Sequence, residues 1–557
     1  MLTELKDQLQ ALIEASVKEA HPALEQYPSA TLEIPADKIH GELSTNIAMR
    51  LTKLAKKDPI SVATELCSII QKNLSKSPLK DKVKSVEVKK PGFINFYLTV
   101  NAFYDILADV FKKGKDYGRL AEGKKQKLQI EFVSANPTGP LSVAHARQAA
   151  VGDALANIFK FVGYDVTKEF YLNDEGNQIN ILGRSIELRA REELGESVTF
   201  PEDGYQGDYI KDMAKEFMAK RKVKTVADLN KIAPEDFRQF GVDYLLAVIK
   251  EELKNFGVIF DVWSHQSKIA TLKNTEKVLI ELKDKGFIYE HEGAWWFKST
   301  QFGDDKDRVV KKSDGSFTYL APDIVYHKDK FQRGFNQVFN IWGPDHHGYI
   351  PRIKAAVAAL GFDPKNLEVL IVQLATIFRD GKPLSMSTRR GQYISLREVM
   401  DEVGVDAARF FFLMRHTSAH LDFDLELAKK ETPENPVYYI QYAHARINSL
   451  LEMAGQSKLK PKQTGLKLLK EEEELDLMKK IGSFSDILMI CVAQRDCFAL
   501  VNYMQELATC FHRFYDKHRV IGDDKDLSSE RLGLIDATRI VIANGLTLLG
   551  VSAPVKM

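Results

Sequence analysis

The chain has 557 residues, 44% of them hydrophobic, with 78 Lys and Arg against 77 Asp and Glu. That length exceeds one domain and supplies apolar material for several packed cores. The balanced charge excludes a uniformly basic nucleic-acid coat, though not a local basic groove. Four cysteines, Cys67, Cys491, Cys497 and Cys510, lack CxxC spacing and read as structural thiols of a reducing compartment.

The first twenty residues mix charge with Leu2, Leu5, Leu9, Leu12 and Ile13, which predicts an amphipathic helix rather than a signal peptide. No stretch reads as an uninterrupted apolar span, so a cytoplasmic protein is expected. Residues 1 to about 115 read as a small α/β module, with helices near 60–74 and 101–113 around the strand "KSVEVKKPGFINFYL". "DYGRLAEGKKQK" (116–127) reads as a charged linker. Short apolar strands at 128–133, 165–171, 337–342 and 368–373 alternate with helices, the pattern of parallel βαβ units in a doubly wound sheet. A mostly helical insertion, about 175–290, splits it, with helices near 175–195, 207–222, 234–257 and 272–286; a hairpin with a Ser-Asp-Gly turn follows. From about 395 onward nearly everything reads as helix. "AGQSKLKPKQTGLK" (454–467) reads as a mobile loop and Glu471 to Glu474 as a solvated helix face.

Two stretches carry chemistry. "SANPTGPLSVAHARQ" (134–148) is a Pro/Gly loop running into a helix, placed after a strand. A helix N-terminus offers unpaired amides and partial positive charge to phosphate. His145 would stand where an imidazole can donate to a phosphate oxygen, although a His there also serves as a plain cap. "DGKPLSMSTRRGQYISLREVM" (380–400) is dense in Ser, Thr, Lys and Arg, and its cations could neutralise a pyrophosphate leaving group; an exposed basic turn is the alternative.

Together these stretches resemble the HIGH and KMSKS motifs of class I aminoacyl-tRNA synthetases. The remaining stretches, among them "HGELSTNIAMRL", "FYLNDEGNQI", "FGDDKDRVVKKSDGSFTYLAPDIVYH", "WGPDHHGYIPRIKAA" and "NPVYYIQYAHARI", narrow the resemblance to bacterial-type arginyl-tRNA synthetases over essentially the whole chain. The resemblance implies a Rossmann-like catalytic domain over 116–400, connecting helices over 401–435, a helical anticodon-binding domain over 436–557, and an N-terminal domain that touches the tRNA elbow. It implies activation of L-arginine by ATP with Mg²⁺, then transfer to the terminal adenosine of tRNA(Arg), by a monomer with no tightly bound cofactor. A silent tRNA-binding paralogue is the alternative.

The resemblance also assigns residues. Glu131, Asn136, Tyr319 and Asp323 should line the arginine pocket; a guanidinium seeks a planar anionic partner. Pro137, Thr138, Gly139, His145, Asp345, His347, Met386 and Ser387 should meet ATP. His145, Ser142, Lys382 and Arg389 should act in catalysis, and Tyr438, Tyr442, Arg446 and Met557 should touch tRNA. Basic candidates for the elbow are Lys53, Lys56, Lys57, Lys89 and Lys90. Asp345, His346 and His347 do not read as a zinc set, and Asp345 or His347 is expected to contact ribose or adenylate. Two departures stand out. Ser142 and Ala144 replace the first His and the Gly of HIGH, and Ser385 and Thr388 replace the lysines of KMSKS. Lys382, Arg389 or Arg390 could supply the missing charge.

Overall fold

The computed structural model describes residues 2–24, 26–35, 37–384 and 394–557. Ser385, Met386, Ser387, Thr388, Arg389 and Arg390, expected in the second signature, lie outside the described residues.

In the N-terminal module, Leu5, Leu9, Ile13 and Val17 recur every fourth residue and bury one face of the helix Leu2–Ala20. That helix and Pro59–Leu74 cover an antiparallel sheet in the order Leu43–Thr45, Phe93–Leu98, Val83–Lys89. Lys57 pairs with Glu65 and Lys89 with Glu87, so two of the proposed elbow lysines already have acidic neighbours. The stretch 116–127 is no free linker. Tyr117 is buried, stacks on Phe484 at 6.3 Å and donates to the Ile481 carbonyl, which docks it on the C-terminal helices.

The central sheet has five parallel strands in the order Leu367–Ile371, Gln337–Trp342, Lys127–Glu131, Asp165–Leu172, Val262–His265. The chain winds one way from Lys127–Glu131 and the other way from Gln337–Trp342, so a crevice opens between those two strands at their carboxyl ends. The fifth strand lies inside the stretch expected to be one insertion. That stretch is therefore two pieces: helices between Asn177 and Asn255, with their own core around Phe217 and Phe237, and a second piece after the strand. The expected hairpin is a three-stranded sheet of Ile288–His291, Ala294–Phe297 and Arg308–Lys311. The helix Val143–Phe161 crosses the central sheet closely because Gly152 has no side chain; a Cβ there would lie 2.2 Å from the Phe132 ring.

Beyond 395 one strand was missed: Leu421–Asp424 pairs in parallel with Ala375–Arg379. The C-terminal bundle comprises Pro436–Gln456, Glu472–Gly482, Phe484–Gln494, Phe498–Lys517 and Lys525–Leu549. Two expectations change here. Glu473 and Glu474 are buried rather than solvated, because Lys517 and His518 pair with Glu473 and Arg531 pairs with Glu474. The loop after Gln456 is tethered, since the buried Glu530 carboxylate accepts the backbone N–H groups of Lys467 and Leu468. Lys525–Leu549 is long and apolar enough to cross a membrane, but it is a bundle helix with 72% of its apolar window buried.

Candidate active site at the carboxyl ends of the parallel sheet

The crevice is a cleft of about 640 Å³ whose lining, from seven stretches of the chain, includes Glu131, Asn136, His145, Tyr319, Asp323 and Asp345. Glu131 ends its strand. The next turn puts Val133 at φ 67 and Ser134 at φ 40, two successive non-glycine residues in the left-handed region. Such positions cost about 1–3 kcal/mol each and gather at functional sites. The turn lets the Ser134 hydroxyl donate to Glu131 Oε1 (2.8 Å) while Ser134 Oγ accepts the Tyr171 N–H.

The opposite wall is the helix Leu320–Gln332. Asp323, His327 and Lys330 follow i, i+4, i+7 and share one face. Lys330 is fully buried and pairs with Glu131; it also donates to Asn340 Oδ1 at 2.7 Å. Asn340 Nδ2 donates to His327 Nε2 (2.9 Å), and His327 Nδ1 donates to the Asp323 carbonyl (2.8 Å). Each group thus has a partner of the correct polarity, as a buried network requires. Burial holds the His327 imidazole down at about 3, so it stays neutral. Behind it, Tyr326 stacks on Tyr171 at 4.2 Å and donates to Glu169, which Arg333 grips with two nitrogens.

Asp323 differs from Glu131. Its Oδ2 accepts the Tyr349 hydroxyl at 2.6 Å, and among the described residues no Lys or Arg forms an ion pair with it. Burial pushes its carboxyl up to about 7, with the nearby Glu131 charge adding to the rise. A carboxylate set in a wall without a cation awaits one. Tyr319, four residues earlier, is the residue before the helix and is 74% exposed at the rim. Asn136 donates to Gln178 Oε1 at 2.6 Å, joining the loop to the helical insertion.

The nucleotide end is built differently. Ser142 precedes the helix Val143–Phe161, and its backbone N–H donates to His145 Nδ1 at 3.2 Å. With Nδ1 accepting, the ring proton sits on Nε2, so the imidazole is a neutral donor. Burial keeps it neutral, with a pKa lowered to about 4. Ser142 is therefore a capping residue that sets the His145 tautomer. Arg147, two residues on, is fully buried and donates to the carbonyls of Gln373, Leu374, His416 and Ala419, fixing the wall of the cleft that Gln373 and Leu374 form.

Several expected contacts fall elsewhere. Pro137, Thr138 and Gly139 do not line the cleft; the Thr138 carbonyl accepts the Tyr209 hydroxyl from the insertion. Of the three consecutive polar residues, Asp345 and His346 line the cleft and His347 does not. Lys382 is exposed in a short strand paired with Ala375–Arg379, away from the lining. Sequence reasoning missed Tyr171, Tyr349, Lys330 and Asn340, although the polar stripe Asp323–His327–Lys330 was a readable signal.

Far from the cleft, Tyr438 and Tyr442 stack at 6.2 Å on the helix Pro436–Gln456, and His512 continues the row at 6.0 Å from Tyr442. Arg446 is held on Tyr515, donating to its hydroxyl at 2.5 Å. On the same helix the buried Gln441 donates to the Ser552 carbonyl and the buried His444 binds the Pro554 carbonyl. That pins the chain end so that Met557 and Tyr438 line one open groove.

Three family models match. Residues 7–98 match the arginyl tRNA synthetase N terminal domain, residues 106–425 the class I (R) tRNA synthetase catalytic domain, and residues 440–557 the DALR anticodon binding domain. The arginine–tRNA ligase of Bacillus subtilis (strain 168) is 44% identical over 557 residues, covering 100% of this chain and 99% of its own. That of Listeria monocytogenes is 45% identical over 534 residues, covering 96% and 95%. The arginyl-tRNA synthetase structure from Thermus thermophilus shares the fold with a TM-score of 0.76 at 20% identity, covering 99% of this chain and 100% of that one.

Proposed function

The chain belongs to the arginyl-tRNA synthetase family, and from that premise we propose how its residues carry out the reaction. It activates L-arginine with ATP, releasing pyrophosphate, and transfers the arginyl group to tRNA(Arg). The carrying observation is Asp323, a carboxylate in the cleft wall without a cation of its own. The guanidinium of arginine pairs with Asp323 beside the Tyr349 hydroxyl, while Glu131, neutralised by Lys330, and Asn136 shape the same end. Bidentate pairing selects a guanidinium over an ammonium, since a lysine would leave acceptors unpaired.

The amino acid then points its carboxylate toward the start of Val143–Phe161. There the neutral His145 donates from Nε2 to the nucleotide, and helix amides face its phosphates. An arginine carboxylate oxygen attacks the α-phosphorus and the bond to the β-phosphate bridging oxygen breaks, so pyrophosphate leaves with the negative charge. Mg²⁺ enters with ATP as part of the substrate. Lys382, Arg389 and Arg390 remain the candidates for charge on the pyrophosphate. In the second step the 2′-hydroxyl of the terminal adenosine attacks the acyl carbon and AMP leaves. The aromatic row Tyr438–Tyr442–His512 suits stacking on splayed anticodon bases, with Met557 beside it. The N-terminal module meets the tRNA elbow, and the enzyme acts as a cytoplasmic monomer.

The test is charging of tRNA by the purified protein with labelled arginine and ATP. Label on tRNA(Arg), with none from labelled lysine, supports the reading. No product with any arginine tRNA supports the silent tRNA-binding alternative.

A further inference from the structure

The two segments that flank the signature stretches meet. Ser142 and Ser395 form an antiparallel bridge; the Leu396 N–H donates to the Leu141 carbonyl at 2.7 Å and the Val143 N–H to the Ile394 carbonyl at 3.3 Å. Ser142 and Ser395 are also the residues that begin the helices Val143–Phe161 and Leu396–Val403. Two helix starts, distant in sequence, are therefore paired side by side through their caps.

Under this joint lies Glu252, from the helix Pro234–Asn255 of the insertion. Its side chain is 2% exposed; Oε2 accepts the Leu141 N–H at 3.3 Å and Oε1 faces Arg397 Nε at 3.6 Å. As an isolated element of stability this arrangement is poor. The carboxylate is buried while its cation is half exposed, and a neutral side chain of similar size would fill the place at lower cost. Burial pushes the Glu252 carboxyl up, as expected for a charge kept there against its solvation. Arg397 also stands in the first turn of its helix, the end of the dipole that disfavours a cation. Both oddities lie at the joint between the two stretches that adenylate formation uses.

We propose that Glu252 is a positioning residue for adenylate formation: from the helical insertion it fixes the helix starts at Ser142 and Ser395 in one register and holds Arg397 beside them. The link it supplies runs through Leu141, four residues before His145, so the Nε2 donor keeps its place relative to the segment that begins at Ile394. Glu252 touches no reacting atom; it acts through backbone and through Arg397. The proposal rests on the reading of the cleft as an adenylate-forming site.

Pyrophosphate exchange with tRNA present, measured for the unaltered protein, Glu252→Gln, Arg397→Met and the double variant, separates the two. Glu252→Gln has one neutral acceptor oxygen in place of two, so it does not serve the Leu141 N–H and the Arg397 guanidinium together. Each single variant is expected to lose about tenfold in kcat/KM for ATP with KM for arginine within about twofold, because a small displacement of a positioned group costs rate. The double variant is expected to lose no more than the worse single, since both break one link. An unchanged arginine KM also reports that the variants are folded. Wild-type rates for both singles, parallel shifts in both KM values, or additive losses would overturn the proposal. Absence of exchange in the unaltered protein would instead overturn the reading of the cleft.

Discussion

The Asp323 end of the cleft, proposed for arginine, and the His145 end, proposed for the nucleotide, are built on opposite plans. At the arginine end the network from Lys330 through Asn340 and His327 is complete before any substrate arrives, and it leaves Asp323 as the group awaiting a cation. Side chains on two rigid elements do the selecting. At the nucleotide end the groups are backbone amides, one imidazole tuned by its own cap, and a joint between distant segments. The amino acid is chosen by a preorganised charge pattern, where a wrong ligand leaves buried groups unpaired. ATP is met by generic phosphate-binding geometry, which tolerates loss of individual signature residues.

If that contrast is right, substitutions at the two ends should separate in their kinetics. The largest effect belongs to Asp323→Asn. Removing one partner of a desolvated charge pair costs about 2–5 kcal/mol, so kcat/KM for arginine should fall about 30- to 5,000-fold with KM for ATP nearly unchanged. Equal losses for both substrates would erase the distinction. Lys330→Met strands the Glu131 charge in the wall; urea denaturation should show a loss of about 3–5 kcal/mol. A stable variant would mean that Glu131 carries no charge there. His145→Ala removes one donor at the nucleotide end, and exchange at saturating arginine should slow about 10²-fold with arginine KM retained.

The smallest effect is in pH. If arginine binds the ionised Asp323 as proposed, binding pulls its pKa down from about 7 and releases whatever proton the carboxyl carries. Below that value the carboxyl must first ionise. KM for arginine should therefore rise about fivefold between pH 7 and 6 and level off above pH 8. His145, with a pKa of about 4, stays neutral across that window, so KM for ATP should not follow. An ATP KM that tracks the arginine KM would contradict the separation.

The sequence carried much of this. The βαβ alternation, the Pro/Gly loop before His145 and the residues Glu131, Asn136, Tyr319 and Asp323 in one cleft were readable from pattern and resemblance. What it hid were long-range pairings. Glu131 and Asp323 look alike in sequence, and only Lys330, 199 residues from Glu131, makes one a spent carboxylate and the other a waiting one. Glu473 and Glu474 read as a wet face because Lys517, His518 and Arg531 come from later helices. Val262–His265 and Leu421–Asp424 escaped because four residues between helices show no usable period. Ser142 looked like a worn motif position, yet its role lies in a backbone N–H, which no residue letter encodes.

The most direct test of the contrast is calorimetric titration of arginine alone into the protein at pH 7, in buffers of differing ionisation enthalpy. The account predicts binding without ATP and release of about half a proton per arginine, since Asp323 titrates near that pH; the release should vanish in Asp323→Asn. Binding with no buffer dependence, or no binding until ATP is added, would contradict a preformed arginine end centred on Asp323.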